Sequence, residues 1–259
     1  MEESDLTKPT DNLVGGRRLI RLGNVSRPTI TLFRAPKARD TGATALVFPG
    51  GGYQILALDL EGTEVCEWLN SIGVNAVLVK YRVPSRKGEP RHRAPLQDAQ
   101  RAMGLVRAHA GEWRLDPKRI GVIGFSAGGH LSAALSNNFT ERAYPAVDAA
   151  DQVDCRPDFA MLIYPAYLVD GDSVAPELPI TAHTPPTFLV QTEDDAIKVE
   201  CSLFYYVGLK KAGVPAEMHL YASGGHGYGL RPTNAGVTGW PALAEKWLRS
   251  IGVIGAASH

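Results

Sequence analysis

The sequence predicts a doubly wound α/β fold, in which a mostly parallel sheet of about eight strands carries helices on both faces. From Thr44 onward, apolar runs rich in Val, Ile and Leu alternate with longer stretches of helical spacing. Continuous apolar strands separated by helices are typical of a parallel sheet that is buried on both sides. The length of 259 residues suits one such domain with a large core. We therefore expect a single domain over 15–259, preceded by a flexible polar segment over 1–14, and no large cap domain.

The order of the elements follows from the periodicity along the chain. The runs predicted as strands are 44–48, 74–79, 119–125, 159–164, 187–191 and 217–221. The stretches predicted as helices are 55–72, 95–110, 126–136, 199–212 and 241–251. Residues 18–22 and 30–33 alternate between apolar and polar side chains, which predicts an N-terminal hairpin at one edge of the sheet. The proline-rich segment 165–186 has no clear period, and we expect it to roof a pocket.

Charge and cysteine content exclude several classes of function. Lys plus Arg and Asp plus Glu both number 27, so nothing favours binding to nucleic acid or to an anionic membrane surface. The cysteines are Cys66, Cys155 and Cys201, and their spacing suits neither a disulfide framework nor a structural zinc site. We therefore expect no metal and no cofactor. The partner expected from this composition is a neutral or small molecule.

The sequence assigns no compartment to this protein. Its first twelve residues are polar and lack the apolar region of a signal peptide. A secreted bacterial protein whose signal has been removed fits the same sequence, so the localisation stays open. No apolar run approaches the roughly 18 residues that cross a bilayer. The oligomeric state is likewise left unassigned.

A candidate nucleophile follows the strand predicted at 119–125. Residues 124–128 read Gly-Phe-Ser-Ala-Gly, with Ser126 at the centre and a helical stretch directly behind it. A strand, a sharp turn with serine at its tip and a helix are the context that a nucleophile elbow requires. Gly124 and Gly128 leave room for the strand and the helix to pass close together. The pattern predicts that Ser126 is a catalytic nucleophile.

An acid and a base follow Ser126 in the chain order that this fold requires. Asp194 and Asp195 lie just beyond the strand at 187–191, and His226 lies in a glycine-rich loop after the strand at 217–221. The carboxyl ends of parallel strands meet at one edge of a sheet, so we expect these groups near Ser126. Counting back from Ile197 favours Asp194 as the residue that orients His226, with Asp195 as the alternative. His130 and His219 are interpreted as packing or supporting groups.

A glycine loop after the first central strand is a candidate oxyanion hole. Residues 49–53 read Pro-Gly-Gly-Gly-Tyr, and three glycines at a strand end expose their backbone N–H groups. The pattern G-x-x-x-x-G-K-[ST] of a phosphate loop is absent from the sequence. We expect the N–H groups of Gly51, Gly52 and Ala127 to bind an oxyanion.

These motifs together resemble the α/β-hydrolase superfamily. Within it, the chain is similar to the acetyl esterase/lipase group and, more narrowly, to bacterial polysaccharide esterases described as acetylxylan or feruloyl esterases. The stretches that carry the resemblance are 48–53, 80–84, 95–102, 119–131 and 209–229. The chain departs from hormone-sensitive-lipase-like esterases because Pro49 stands where they have histidine and because its short polar start supplies no cap helix. Both differences favour an open, lidless cleft.

The resemblance implies a serine carboxylic-ester hydrolase with a triad of Ser126, His226 and Asp194. The expected substrates are short acyl esters, acetyl first and feruloyl second, on a plant polysaccharide such as xylan. Tyr53, Tyr164 and Tyr167 are expected to line the cleft with aromatic surface. The alternatives are a general carboxylesterase, a formamidase or a peptidase of the same fold, and a non-catalytic relative that binds a ligand or partner.

Overall fold

The structure is a computed structural model that describes residues 2–255. A seven-stranded sheet forms its centre, and its strands are β3 (Thr29–Phe33), β4 (Thr44–Phe48), β6 (Asn75–Lys80), β7 (Ile120–Phe125), β8 (Ala160–Ile163), β11 (Thr187–Thr192) and β12 (Ala216–Tyr221). Their order across the sheet is β12-β11-β8-β7-β4-β6-β3. Every pair except β3 with β6 is parallel. The predicted doubly wound sheet is confirmed, with seven strands where about eight were expected.

Helices alternate with these strands as the periodicity predicts. They are α1 (Glu64–Ser71), α2 (Arg93–Ala108), α3 (Ala127–Asn137), α4 (Glu200–Lys211) and α5 (Trp240–Ser250). The predicted helix over 55–72 is divided: a short strand, β5 (Ile55–Ala57), comes first, and a π-helical turn over Asp59–Thr63 leads into α1. None of the helices within residues 2–255 is long and apolar enough to cross a membrane.

The predicted N-terminal hairpin is wrong. The strand β2 (Arg21–Gly23) does not pair with β3; it lies between β1 (Ser4–Asp5) and β5 in a small antiparallel sheet. β3 instead joins the edge of the central sheet, antiparallel to β6. Within the N-terminal segment 1–14, the two residues of β1 pair with β2. Alternation alone predicts a strand but not its partner, and here β2 pairs with β1 and β5 while β3 pairs with β6.

The core lies on both faces of the central sheet because successive side chains of a strand point to opposite faces. In β4, Leu46 and Phe48 pack into one cluster of buried residues, and Ala45 and Val47 pack into the other. All five residues of β4 are buried. The central strands are therefore held rigidly, and the loops at their carboxyl ends are placed with respect to one another.

The segment 165–186 carries a small hairpin rather than a cap domain. Its strands β9 (Val169–Asp170) and β10 (Ser173–Val174) pair with each other and lie against α4. Beyond this hairpin, Glu177 returns to the carboxyl edge of the sheet, where its carboxylate faces His130 of α3. The segment thus borders the edge at which the candidate catalytic residues meet.

Candidate active site

Ser126 lies in a strained turn between β7 and α3. Its φ of 52° and ψ of −118° lie outside the backbone regions that residues other than glycine ordinarily adopt. Backbone strain of this kind occurs mostly at functional sites. A Cβ atom at Gly124 would lie 2.0 Å from the carbonyl oxygen of Gly128, and one at Gly128 would lie 2.0 Å from that of Phe48. Only glycine fits at either position, so the turn can bring β7 and α3 together as the motif predicts.

Two hydrogen bonds connect Ser126 to His226 and His226 to Asp195. The Oγ of Ser126 lies 2.8 Å from Nε2 of His226, and Nδ1 of His226 lies 2.8 Å from Oδ2 of Asp195. An ionised carboxylate only accepts, so Nδ1–H donates to Asp195 and Nε2 is left to accept the Ser126 hydroxyl proton. The Asp195 side chain is fully buried, whereas 25% of the His226 side chain is exposed.

The prediction that Asp194 orients His226 is wrong in this structure, since Asp195 holds that place. β11 continues to Thr192, one residue further than the apolar pattern indicated, and the following turn directs Asp195 inward. The Asp195 carboxylate also accepts hydrogen bonds from the Gln191 side chain at 2.8 Å and from the N–H of Ile197 at 2.7 Å. These bonds satisfy a buried charge and fix its direction.

Asp194 holds the loop that carries His226. Its exposed carboxylate accepts the N–H of Gly225 at 2.8 Å and that of Gly224 at 3.2 Å. These backbone hydrogen bonds hold the pKa of Asp194 below its usual value. The neighbouring carboxylates therefore have different roles. Asp195 contacts the imidazole, and Asp194 positions the two glycines that precede His226.

The glycine loop over 49–53 faces Ser126 with free backbone donors. Gly51 and Gly52 have φ values of 129° and 63°, which glycine adopts without strain. Among the hydrogen bonds of residues 2–255, none is donated by the N–H groups of Gly51, Gly52 or Ala127. A Cβ at Gly50 would lie 2.8 Å from Cβ of Ser126. The loop therefore passes directly beside the nucleophile.

A buried carboxylate beneath this loop was missed at the level of sequence. Glu61, in the π-helical turn, is 4% exposed. It accepts the N–H of Gly50 at 2.7 Å and the hydroxyl of Tyr164 at 2.8 Å. Burial raises its pKa, while the Tyr164 hydrogen bond, the nearby His226 and the Gly50 N–H oppose that rise. One sequence pattern could have revealed it: Glu61 falls between Leu58 and Val65 on the apolar face of the predicted helix.

The expected aromatic lining of the cleft is corrected for two of the three tyrosines. Tyr53 and Tyr164 are both 0% exposed. The Tyr53 hydroxyl lies 2.8 Å from Nδ1 of His130, and the Tyr164 ring packs edge-on against His226 with 4.9 Å between ring centroids. All three tyrosines have positive φ, so the backbone conformation by itself does not decide which of them is buried. Tyr167 is half-buried and stacks on Tyr53, so it remains a candidate lining residue.

Comparison with known proteins identifies the family. A profile described as alpha/beta hydrolase fold matches residues 45–181, a span that contains the glycine loop and Ser126. The chain belongs to this family.

Relatives of this alpha/beta hydrolase include named esterases. An acetylxylan esterase from Xylanibacter ruminicola is 29% identical over 73% of this chain and 42% of its own length. An endo-1,4-beta-xylanase B from Butyrivibrio fibrisolvens is 30% identical over 70% of this chain and 32% of its own length. The chain thus spans less than half the length of these curated relatives. A solved acetyl ester-xyloside bifunctional hydrolase from Caldicellulosiruptor lactoaceticus superposes with a TM-score of 0.76 at 34% identity, over 98% of this chain and 97% of its own.

One further group in this alpha/beta hydrolase could hold a metal ion. His92, His130 and Glu177 each offer a ligand atom, and these atoms lie within 4.8 Å of one another. Sequence spacing did not predict the group, because its members come from three distant parts of the chain.

Proposed function

We propose that this protein is a serine carboxylic-ester hydrolase that removes short acyl groups, acetyl foremost, from plant polysaccharide such as xylan. The observation that carries the proposal is the line of two 2.8 Å hydrogen bonds from Ser126 through His226 to the buried Asp195. A nucleophile, a base and an orienting acid in this order are the arrangement needed for acyl transfer.

Acylation begins when Ser126 Oγ attacks the ester carbonyl carbon and its proton passes to Nε2 of His226. Asp195 holds the imidazole in the tautomer that can accept this proton, and its charge stabilises the imidazolium that forms. The N–H groups of Gly51, Gly52 and Ala127 donate to the carbonyl oxygen as it becomes an oxyanion. Each such donor typically lowers the barrier by about 2.7–4 kcal/mol.

Release and deacylation use the same groups in reverse. The tetrahedral intermediate collapses, the bond to the alcohol oxygen breaks, and His226 gives its proton to that oxygen. A water molecule then attacks the acyl-enzyme while His226 takes one of its protons. The second intermediate collapses to the free carboxylic acid and returns the proton to Ser126.

The surroundings of the glycine loop favour a polar alcohol group. A surface hollow beside the loop is lined by Gly52, Gln54, Ser85, Glu89, Pro90 and Arg91. Such side chains can donate to and accept from sugar hydroxyls. The names of the relatives also support acetylated xylan as the first substrate to test, with feruloyl esters second.

Ser126→Ala tests the nucleophile. We expect hydrolysis of p-nitrophenyl acetate to fall by about 10⁴-fold or more, because removing a triad nucleophile leaves only binding and oxyanion stabilisation. Ser136→Ala is a matched control, since Ser136 is a buried serine like Ser126 but lies near the far end of α3. Its variant should keep full turnover. Near-normal turnover in a folded Ser126→Ala protein would refute the assignment.

A substrate panel tests the ester class and the acyl preference. It comprises nitrophenyl esters of increasing chain length, acetylated xylan, methyl ferulate, a formyl amide and a dipeptide amide. We expect the highest kcat/KM for acetyl esters and release of acetate from acetylated xylan. Cleavage of the amides without the esters would favour a formamidase or peptidase instead. Activity on nitrophenyl acetate but not on acetylated xylan would restrict the proposal to small esters.

A further inference from the structure

Three side chains with metal-binding atoms converge behind the glycine loop. His92 directly precedes α2, His130 lies one turn into α3, and Glu177 belongs to the segment 165–186. Their ligand atoms all lie within 4.8 Å of one another. None of the three belongs to the hydrogen-bonded set of Ser126, His226 and Asp195.

The buried nitrogen of His130 is the second observation that points to a ligand. The His130 side chain is 0% exposed, and its Nε2 is among the few buried side-chain atoms of residues 2–255 without a hydrogen-bond partner. A buried polar atom without a partner is costly and calls for an explanation. Nε2 lies 3.5 Å from Oε1 of Glu177. Two ligand atoms on a tetrahedral zinc ion lie roughly 3.3 Å apart, given bonds of about 2.0–2.1 Å.

The opposite side of the His130 ring is already held in the way that a metal-bound imidazole is held. Nδ1 lies 2.8 Å from the Tyr53 hydroxyl. Histidines that bind metal nearly always donate their other ring N–H to an oxygen, which fixes the tautomer and the direction of the lone pair. With Nδ1–H donating to Tyr53, the Nε2 lone pair points toward Glu177.

We propose that His92, His130 and Glu177 bind a divalent transition-metal ion, with zinc as the ion of best fit. Two imidazoles and one carboxylate are a donor set that zinc accepts, and they leave a fourth position for water. Calcium and magnesium prefer oxygen ligands and should bind poorly.

A metal at this place would connect the segment 165–186 to the helices α2 and α3. It would also hold His130 against Tyr53, the residue that ends the glycine loop. The ion therefore stabilises the packing beside the cleft and takes no part in acyl transfer. The proposal stands independently of the esterase activity, because its test measures binding and thermal stability.

The test uses the whole chain, prepared without an affinity tag and dialysed against EDTA. Isothermal titration with Zn²⁺ should show one site, and the midpoint of thermal unfolding should rise by several degrees once Zn²⁺ exceeds its Kd about 100-fold. Mg²⁺ at the same concentrations should change neither signal. Absence of a saturable Zn²⁺ site, or an equal response to Mg²⁺, would overturn the proposal.

His92→Ala separates a metal site from a mere hydrogen-bonded group. The His92 ring packs beside that of His130 with 5.4 Å between centroids, whereas Tyr53 bonds to Nδ1 of His130. Loss of His92 should therefore leave that hydrogen bond in place and weaken Zn²⁺ binding by at least about tenfold. Glu177→Gln should weaken binding similarly. The matched control is His109→Ala, since His109 also pairs with a carboxylate, Glu112, at 3.0 Å but belongs to no three-ligand group within residues 2–255. Equal Zn²⁺ affinity in all three variants would assign the binding to another surface and reject the site.

Discussion

Two glycine-rich loops meet at Ser126. One is held by a buried carboxylate and the other by an exposed one. The glycine loop over 49–53 rests on Glu61, which is buried and accepts the Gly50 N–H and the Tyr164 hydroxyl. The histidine loop over 222–229 rests on Asp194, which is exposed and accepts two backbone N–H groups.

The contrast shows that the strength of a carboxylate's hydrogen bonds to a loop depends on whether the carboxylate is buried. A buried hydrogen bond is strengthened by its surroundings, and losing one partner leaves a polar group without water. An exposed carboxylate can be replaced by solvent at little cost. Tyr164 joins the two sides, since its hydroxyl donates to Glu61 and accepts the N–H of Gly229 at 3.0 Å. We therefore expect the glycine loop to be the more rigid of the two.

The largest effect is expected at Asp195, the buried carboxylate that contacts His226 of the histidine loop. Asp195→Asn should lower kcat by about 10⁴-fold, because an amide no longer selects the tautomer in which Nε2 accepts a proton. The measurement is the steady-state rate on p-nitrophenyl acetate, with circular dichroism to verify folding. Asp194→Asn is the matched comparison at the adjacent position. An equal loss in both variants would contradict the division of roles between them.

A smaller loss is expected at the buried support of the glycine loop. Glu61→Gln places an amide NH₂ against either the Gly50 N–H or the Tyr164 hydroxyl, so at least one buried hydrogen bond is lost. The free energy of unfolding should fall by about 1–3 kcal/mol, and kcat should fall by about 10–100-fold as the oxyanion donors shift. Glu67→Gln, at an exposed position of α1, is the control and should change neither quantity. Wild-type kcat in Glu61→Gln would show that the loop holds without this carboxylate.

The smallest effect on rate is expected at Asp194. Asp194→Asn keeps one acceptor oxygen for the loop and leaves the contact between His226 and Asp195 in place. We expect kcat/KM to decrease by only a few-fold, since solvent can reach the freed N–H groups. A substitution that raised KM and left kcat unchanged would place the loop in substrate binding instead of in the alignment of His226.

The pH dependence of stability should differ in sign between the two supports. The pKa of Asp194 is lowered by the Gly225 and Gly224 N–H groups; the stability it adds is present above its ordinary value of 3.8 and is lost as the pH falls through the lowered one. Burial raises the pKa of Glu61, so its contribution falls as the pH rises from 4.5 through the raised value. The unfolding free-energy gap between wild type and Asp194→Asn should narrow toward low pH. The difference in unfolding free energy between wild type and Glu61→Gln should narrow toward neutral pH. If both differences narrowed in the same direction of pH, the comparison would be contradicted.

Most elements and several site positions could be predicted because they depend on local pattern. The apolar run of β4 predicts its bounds, and the elbow glycines at 124 and 128 stand at fixed spacing on either side of Ser126. The choice between Asp194 and Asp195 failed because a pattern does not locate the end of β11 to one residue, and a shift of one residue reverses the direction of a side chain. Tyr53 and Tyr164 were misplaced because their hydroxyls bond to His130 and Glu61, which are distant in the chain, and no periodicity reveals such contacts.

The sequence by itself determined that a serine, an acidic pair and a histidine follow three strands of one parallel sheet. That order brings them to one edge, because parallel strands share the direction of their carboxyl ends. Only the tertiary structure decided that Asp195 faces His226, that Glu61 lies beneath the glycine loop, and that His92, His130 and Glu177 meet. Contacts of this kind join residues far apart in the chain, and their geometry depends on the packing of whole elements rather than on any local spacing.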